Sequence, residues 1–268
     1  MGILNTTEDS FYDGGNYISE SAVLKHVEQM LEEGATIIDL GAVSSKPNAK
    51  IVDEKTEFEA IKNYLNLILS HFPKAHISVD TFRATVAEMA IREGAAMIND
   101  ISGGADPQMF NVVGIHQVPY VLTHNNRTNP IATKDLIPSM LSFFGNNIEL
   151  IVSKGVKDII IDPGFGFGKT IEHNYEILAR LSDLKIFELP ILVGLSRKSM
   201  IYKLLNTDAR HALNGTTAVN TIALLGGANI LRVHDVKEAV ECVKIVSRLS
   251  DIRYQISDIR LSQIANHK

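Results

Sequence analysis

Asp80, Asn99 and Asp162 each follow a short apolar run (76–79, 96–98 and 159–161), so neighbouring strands would bring them together. As a set they suit a polar heterocycle: carboxylates accept from ring N–H and amino groups, and an Asn amide both donates and accepts. A single acid at a strand end is also a common helix cap; three together, one an Asn, carry more weight. Cations follow two later runs. The run 191–195 leads into Ser196-Arg197-Lys198-Ser199, and the run 230–233 carries Arg232 and leads into His234-Asp235. Strand alternation puts Arg232 and His234 on one side. With Asn5 after the run 1–4 they would form an anion pocket, as loops after the seventh and eighth strands of barrels often do. A surface salt bridge is the other reading of Lys198 and Arg232.

The segment Asp162-Pro163-Gly164-Phe165-Gly166-Phe167-Gly168-Lys169-Thr170 fails the phosphate-loop spacing, because Pro163 stands where the first glycine belongs. It also fails GxGxxG, since Lys169 occupies the last glycine position. What remains is an acid followed by a loop with little bulk and two aromatic rings. A flat ligand could lie against it; a tight βα turn with a solvated lysine is the alternative.

The elements that must position these residues are eight short apolar runs: 1–4, 36–38, 76–79, 96–98, 119–123, 159–161, 191–195 and 230–233. Runs this short, separated by helical patterns, predict buried parallel strands. Eight alternating with helices predict an α/β fold, a single (β/α)8 TIM barrel over residues 1–268, with its chemistry where the strands end. Apolar spacing predicts a helix over 19–33, stopped by Gly34. Asp39 and His124 also end apolar runs, without a role that the chemistry requires. Two loops, 6–17 and 41–53, are long enough to act as lids.

At 268 residues, with 45% hydrophobic and 21% charged residues, the chain matches the size and composition of one such barrel. A net charge of −5 argues against nucleic-acid or membrane-surface partners, which need a basic face. The lone Cys242 excludes an internal disulfide and reads as packing. No run reaches the ~18 apolar residues of a membrane span. A cytoplasmic location is expected.

Several segments resemble one family. They are Gly2-Ile3-Leu4-Asn5-x-Thr7-x-Asp9-Ser10-Phe11-x-Asp13-Gly14-Gly15, Ser78-Val79-Asp80-Thr81, Ile98-Asn99-Asp100-Ile101-Ser102-Gly103-Gly104, the 162–169 loop, Ser196-Arg197-Lys198-Ser199 and Arg232-Val233-His234-Asp235. In order and spacing they resemble the dihydropteroate synthases. That resemblance implies condensation of 6-hydroxymethyl-7,8-dihydropterin diphosphate with p-aminobenzoate, with Mg2+, releasing pyrophosphate. It assigns Asp80, Asn99, Asp162, Phe167 and Lys198 to the pterin. It assigns Asn5, Arg232 and His234 to the diphosphate, with Asn5 also near the metal, and Ser45, Lys46, Pro47, Lys198 and Ser199 to p-aminobenzoate. It implies a homodimer.

The match departs in the second loop. Gly41-Ala42-Val43-Ser44-Ser45-Lys46-Pro47-Asn48 stands where the family commonly reads Gly-Gly-Glu-Ser-Thr-Arg-Pro-Gly, so an acid and the bidentate fork of an arginine are lost. Thr6 and Glu8 replace the usual Val and Pro, and His124-Asn125-Asn126-Arg127 replaces a Met-His-Met-type sequence. A methyltetrahydrofolate-dependent corrinoid methyltransferase is the nearest rival, but it has no use for a diphosphate pocket. A catalytically idle pterin-binding paralogue is the other.

Overall fold

The computed structural model describes residues 1–6, 19–42, 52–125 and 135–265, with side chains through residue 249 and at 251. Six parallel strands run side by side in chain order: β1 (Gly2–Asn5), β2 (Ile37–Gly41), β3 (His76–Asp80), β4 (Met97–Asp100), β5 (Tyr120–Thr123) and β6 (Ile159–Asp162). β7 (Leu192–Val193) pairs with β8 (Ile230–Leu231). Bridges Ile161–Ile191 and Gly2–Val233 join the two sheets, with Ile161 N–H donating to Pro190 O and Ile3 N–H to Val233 O, both at 2.9 Å. The eight strands therefore close into the expected (β/α)8 barrel.

Alternation along the strands divides the core in two. Leu4, Ile38, Leu40, Ile77, Val79, Ile98, Leu122 and Ile161 belong to the large cluster shared with the surrounding helices. Met97, Val121, Ile160 and Leu192, with Met1, Ile37 and Ile230 against them, form a small separate cluster that plugs the barrel. The strands also differ from the apolar runs. β2, β3, β4 and β6 extend through their acids, because residues above the plug can be polar and still pair along the backbone. β7 and β8 are shorter than their runs.

Helices α1 (Glu20–Glu32), α2 (Glu54–His71), α3 (Ala84–Arg92), α4 (Met109–His116), α5 (Leu136–Ser153), α6 (Ile171–Ala179), α7 (Ser199–Leu204), α8 (Leu213–Gly226) and α9 (Val236–Ala265) surround the barrel. Their ends follow local chemistry. Ser19 caps α1 by accepting from Ala22 N–H, Asp53 caps α2 through Thr56 N–H, and Gly34 leaves α1 at φ 100°. One expectation needs correction. α5 has 18 residues and a mean hydropathy of 1.2, enough in length and composition for a membrane span. It packs as a barrel helix, with Leu136, Ile137, Met140, Phe144 and Ile151 buried.

Candidate active site

Directly above the apolar plug the barrel lining turns polar. Strand register aligns Asn5 with Gly41, Gly41 with Asp80 and Asp80 with Asn99. In-register residues of a parallel sheet share a face, so Asn5, Asp80 and Asn99 point the same way. Gly41 is small for a reason: a Cβ there would lie 3.3 Å from Asn5 Oδ1 and 3.4 Å from Asp80 Cβ. Asp39, two residues earlier on β2, sits in the same interior stack above Ile37.

Arg232, just past β8, crosses this lining. Its Nε donates to Asp39 Oδ2 at 2.6 Å and its Nη2 to Asp80 Oδ2 at 2.8 Å. Asn99 Nδ2 donates to the same Asp39 oxygen at 3.0 Å. Asp39 is fully buried, and the Arg232 side chain is only 13% exposed. The surface salt bridge considered for Arg232 is thus a buried three-strand network. Asp39 Oδ1 and Asn99 Oδ1 have no hydrogen-bond partner among the described residues, which leaves acceptors for a ligand's donors. Burial pushes the Asp80 carboxyl up to about 7, against Arg232, while Asp39, Asp100 and Asp162 add like-charge repulsion. Burial also raises Asp162, opposed by Gly164 N–H, Lys198, Lys169 and Arg232.

The loop after β6 folds over this layer. Asp162 Oδ1 accepts from Gly164 N–H at 2.7 Å. Gly164, at φ 70°, passes so close to β5 that a Cβ would lie 2.1 Å from His124 O; only glycine fits. Lys169 is not the solvated lysine of the alternative reading. Its Nζ donates to the carbonyls of His124 (2.8 Å), Gly164 (2.9 Å) and Phe167 (3.3 Å). Burial pushes its pKa down to about 7, with Asp162 opposing and Lys198 adding to the shift. The two rings also separate. Phe165 joins the core, whereas Phe167 lies with Lys198 Nζ 4.8 Å from its centroid. Lys198 Nζ also donates to Phe165 O.

The rim comes from the loops after β7 and β8. Ser196 Oγ lies 2.9 Å from His234 Nδ1 and accepts from His234 N–H at 3.3 Å. With the serine hydroxyl donating to Nδ1, Nε2–H is the donor left for a ligand. Desolvation in the crowded mouth, with Arg232, Arg197 and Lys198 adding and Asp235 opposing, pushes His234 down to about 4, so the ring is neutral at pH 7. Arg197 takes a left-handed backbone, φ 55°, between Ser196 and Lys198. Its guanidinium grips Asp235 through Nε at 2.9 Å and Nη2 at 2.6 Å, and donates to the carbonyls of Ala209 and Arg210. Ser196, His234 and Asp235 are therefore not a nucleophile triad: the serine holds Nδ1, and the aspartate serves the arginine.

The structure brings Asn5, Asp80, Asn99, Asp162, Phe167, Lys198, Arg232 and His234 to the top of one barrel, with Ser199 opening α7. Ser45, Lys46 and Pro47 lie outside the described residues, as do most of both lid loops. Asp39, left without a role by the sequence, is the hub of the buried network. The clamp Arg197–Asp235 and the Lys169 carbonyl contacts were also not legible there. The other residue left open, His124, is a packed core histidine. Its ring lies 5.1 and 6.1 Å from the Phe143 and Phe144 centroids, and burial pushes its pKa down to about 3.

Comparison with known proteins supplies the family. The "Pterin binding enzyme" family model matches residues 1–234. Dihydropteroate synthase of Escherichia coli K12 is 40% identical over 253 residues, covering 92% of this chain and 89% of that protein. The Coxiella burnetii dihydropteroate synthase, solved with pteroic acid, superposes with a TM-score of 0.86 at 32% identity over 94% of this chain and 92% of that one. The Xanthomonas albilineans enzyme, solved with 4-aminobenzoic acid, gives a TM-score of 0.87 at 33% identity over 93% and 92% of the two chains. The chain belongs to the dihydropteroate synthase family of pterin-binding (β/α)8 barrels.

Proposed function

We propose that this chain performs the family's reaction in folate biosynthesis as a single domain, a homodimer and a cytoplasmic enzyme. It joins 6-hydroxymethyl-7,8-dihydropterin diphosphate to p-aminobenzoate, giving 7,8-dihydropteroate and pyrophosphate. The observation that carries this reading is a buried acceptor layer, Asp80, Asn99 and Asp162, crossed by Arg232 and lying below a rim that presents His234. The layer matches the N–H-rich edge of a pterin, and the rim matches a diphosphate on the ring's far side.

The allocation follows from charge. Asp162, Asp80 and Asn99 hold the pterin edge, with Phe167 beside the ring and Lys198 toward its oxo side. Diphosphate leaves only if its growing negative charge is met. Arg232 and the Nε2–H of His234 do this, preorganised by Asp39 and Ser196, an effect worth a few kcal/mol per well-placed donor. The electron-rich dihydropterin spreads the positive charge left on its methylene carbon. The aromatic amine then attacks without a strong base, which agrees with the lack of a triad at Ser196–His234. The two lid loops would exclude water from this step.

The residues present fit an Mg2+ that arrives with its substrate. Among the described residues no cluster of three His, Cys, Asp or Glu side chains is placed to hold a metal, whereas Asn5 Oδ1 reaches the pocket beside Gly41. Mg2+ commonly takes one or two protein oxygens and completes its shell with phosphate and water. Bound there by Asn5 and the diphosphate, it would neutralise leaving-group charge.

Ser45, Lys46, Pro47, Lys198 and Ser199 shape the p-aminobenzoate side. The substitutions at Val43 and Lys46 shift affinity for that amine and discrimination against sulfonamides. The KM for p-aminobenzoate and Ki for a sulfonamide, measured beside the E. coli enzyme, should differ from it; equal values would refute the shift. The reaction itself is tested by mixing pterin diphosphate, Mg2+ and p-aminobenzoate with the protein. Stoichiometric dihydropteroate and pyrophosphate are expected. Pterin binding without product would mark an idle paralogue instead.

A further inference from the structure

We infer that Lys169 is a positioning residue for the pterin side of the reaction, drawing three main-chain carbonyls around its ammonium so that Asp162 and Phe167 keep one fixed arrangement. The inference rests on the allocation of those two residues to the pterin.

The chemistry of the loop requires such a centre. Gly164, Gly166 and Gly168 take left-handed φ values of 70°, 80° and 66°. Glycines lose the most conformational freedom on ordering, so this backbone has little preference of its own for one shape. The carbonyls of His124, Gly164 and Phe167 converge, and convergent acceptors away from water need a donor. An ammonium offers three donors and no acceptor, which matches the three carbonyls at 2.8, 2.9 and 3.3 Å.

Each contact leads to the site. Gly164 gives its carbonyl to Lys169 and its N–H to Asp162 Oδ1, at 2.7 Å, so the residue that Lys169 holds also orients the carboxylate. Phe167 gives its carbonyl to Lys169 while its ring lies by Lys198. His124 brings in the end of β5, whose own N–H donates to Asp162 O at 2.8 Å. A second polar contact supports the same loop: Asn174 on α6 accepts from Gly166 N–H at 2.7 Å. Among the described residues, Lys169 meets the p-aminobenzoate set only through this loop and the charge of Lys198. Its removal should therefore separate the two substrates.

The test uses the whole enzyme carrying Lys169→Met, Lys169→Cys or Asp162→Asn. Lys169→Met should raise KM for pterin diphosphate about tenfold, as expected when charged hydrogen bonds that fix a site are lost, and leave KM for p-aminobenzoate within about twofold. Aminoethylation of the Lys169→Cys protein with 2-bromoethylamine, its completion at position 169 established by peptide mass, restores an ammonium at nearly the same reach; it should recover most of the pterin affinity. Cys242 is 3% exposed and stays out of the reagent's reach. Asp162→Asn should weaken pterin diphosphate as well. Equal changes in both KM values, or no recovery after aminoethylation, would reduce Lys169 to general support of the fold and overturn the inference. If Asp162→Asn raises the pterin KM and Lys169→Met does not, the role of Lys169 alone is overturned. If Asp162→Asn has no effect, the pterin allocation falls, and this inference with it.

Discussion

Asp39 accepts from Arg232 and Asn99 on one oxygen while fully buried, so it sets the orientation of both side chains at once. Breaking a buried ion pair from one side leaves the other charge uncompensated. Asp39→Asn should cost about 3 kcal/mol in urea unfolding, with a fall in kcat/KM that Asp80 cannot offset. Asp80 makes a pH prediction. Its folded pKa, about 7, lies above the ordinary 3.8, so between those values the folded chain binds a proton that the unfolded chain does not. Stability from this residue is full below about pH 4 and is lost as pH rises through 7. Pterin N–H donors favour the carboxylate, so binding should release a proton, increasingly as pH falls from 7 to 5. Titration calorimetry in buffers of different ionisation enthalpy should show that release in the parent and not in Asp80→Asn. Asp80, Asn99 and Asp162 could be found in the sequence because each follows an apolar run. Asp39 ends a run in the same way, but its role could not be read there, since its partner Arg232 lies 193 positions away.

At the scale of elements, two loop clamps give the mouth its shape. Arg197 holds a left-handed backbone that non-glycine residues rarely adopt, and its fork on Asp235 is what ties the loop after β7 to the end of β8. Lysine keeps the charge but not the fork. Arg197→Lys should therefore lower stability by about 1–2 kcal/mol and raise KM for pterin diphosphate, because Ser196 and His234 lose their common frame. Asp235→Asn should act alike, and combining the two should add little; additive effects in a double-mutant cycle would contradict the clamp. The strand pattern of the barrel was readable in the sequence, since buried parallel strands write themselves as short apolar runs. Helix ends were readable at Ser19 and Gly34. The clamps were not, because the acceptors of Lys169 are main-chain carbonyls and every residue carries one. The strand ends were misjudged for a related reason: above the plug, polar residues continue the ladder.

For the whole molecule, the proposed homodimer needs an apolar face to bury. Leu204, Leu205, Ile222, Leu225, Val243 and Ile245 are exposed on α7, the turn after it, α8 and α9, and α8 packs against α9. A homodimer that covers this face should appear in sedimentation velocity, and Leu225→Asp should convert it to monomer. A monomeric parent would remove the proposal. The proposed function divides the site into a pterin-reading layer and a diphosphate-holding rim. It is tested most directly by the affinities of hydroxymethylpterin and of its diphosphate for the parent, Asp162→Asn and His234→Ala. Asp162→Asn should weaken both ligands. His234→Ala should weaken only the diphosphate, by about tenfold or more; equal weakening of both ligands would contradict the division.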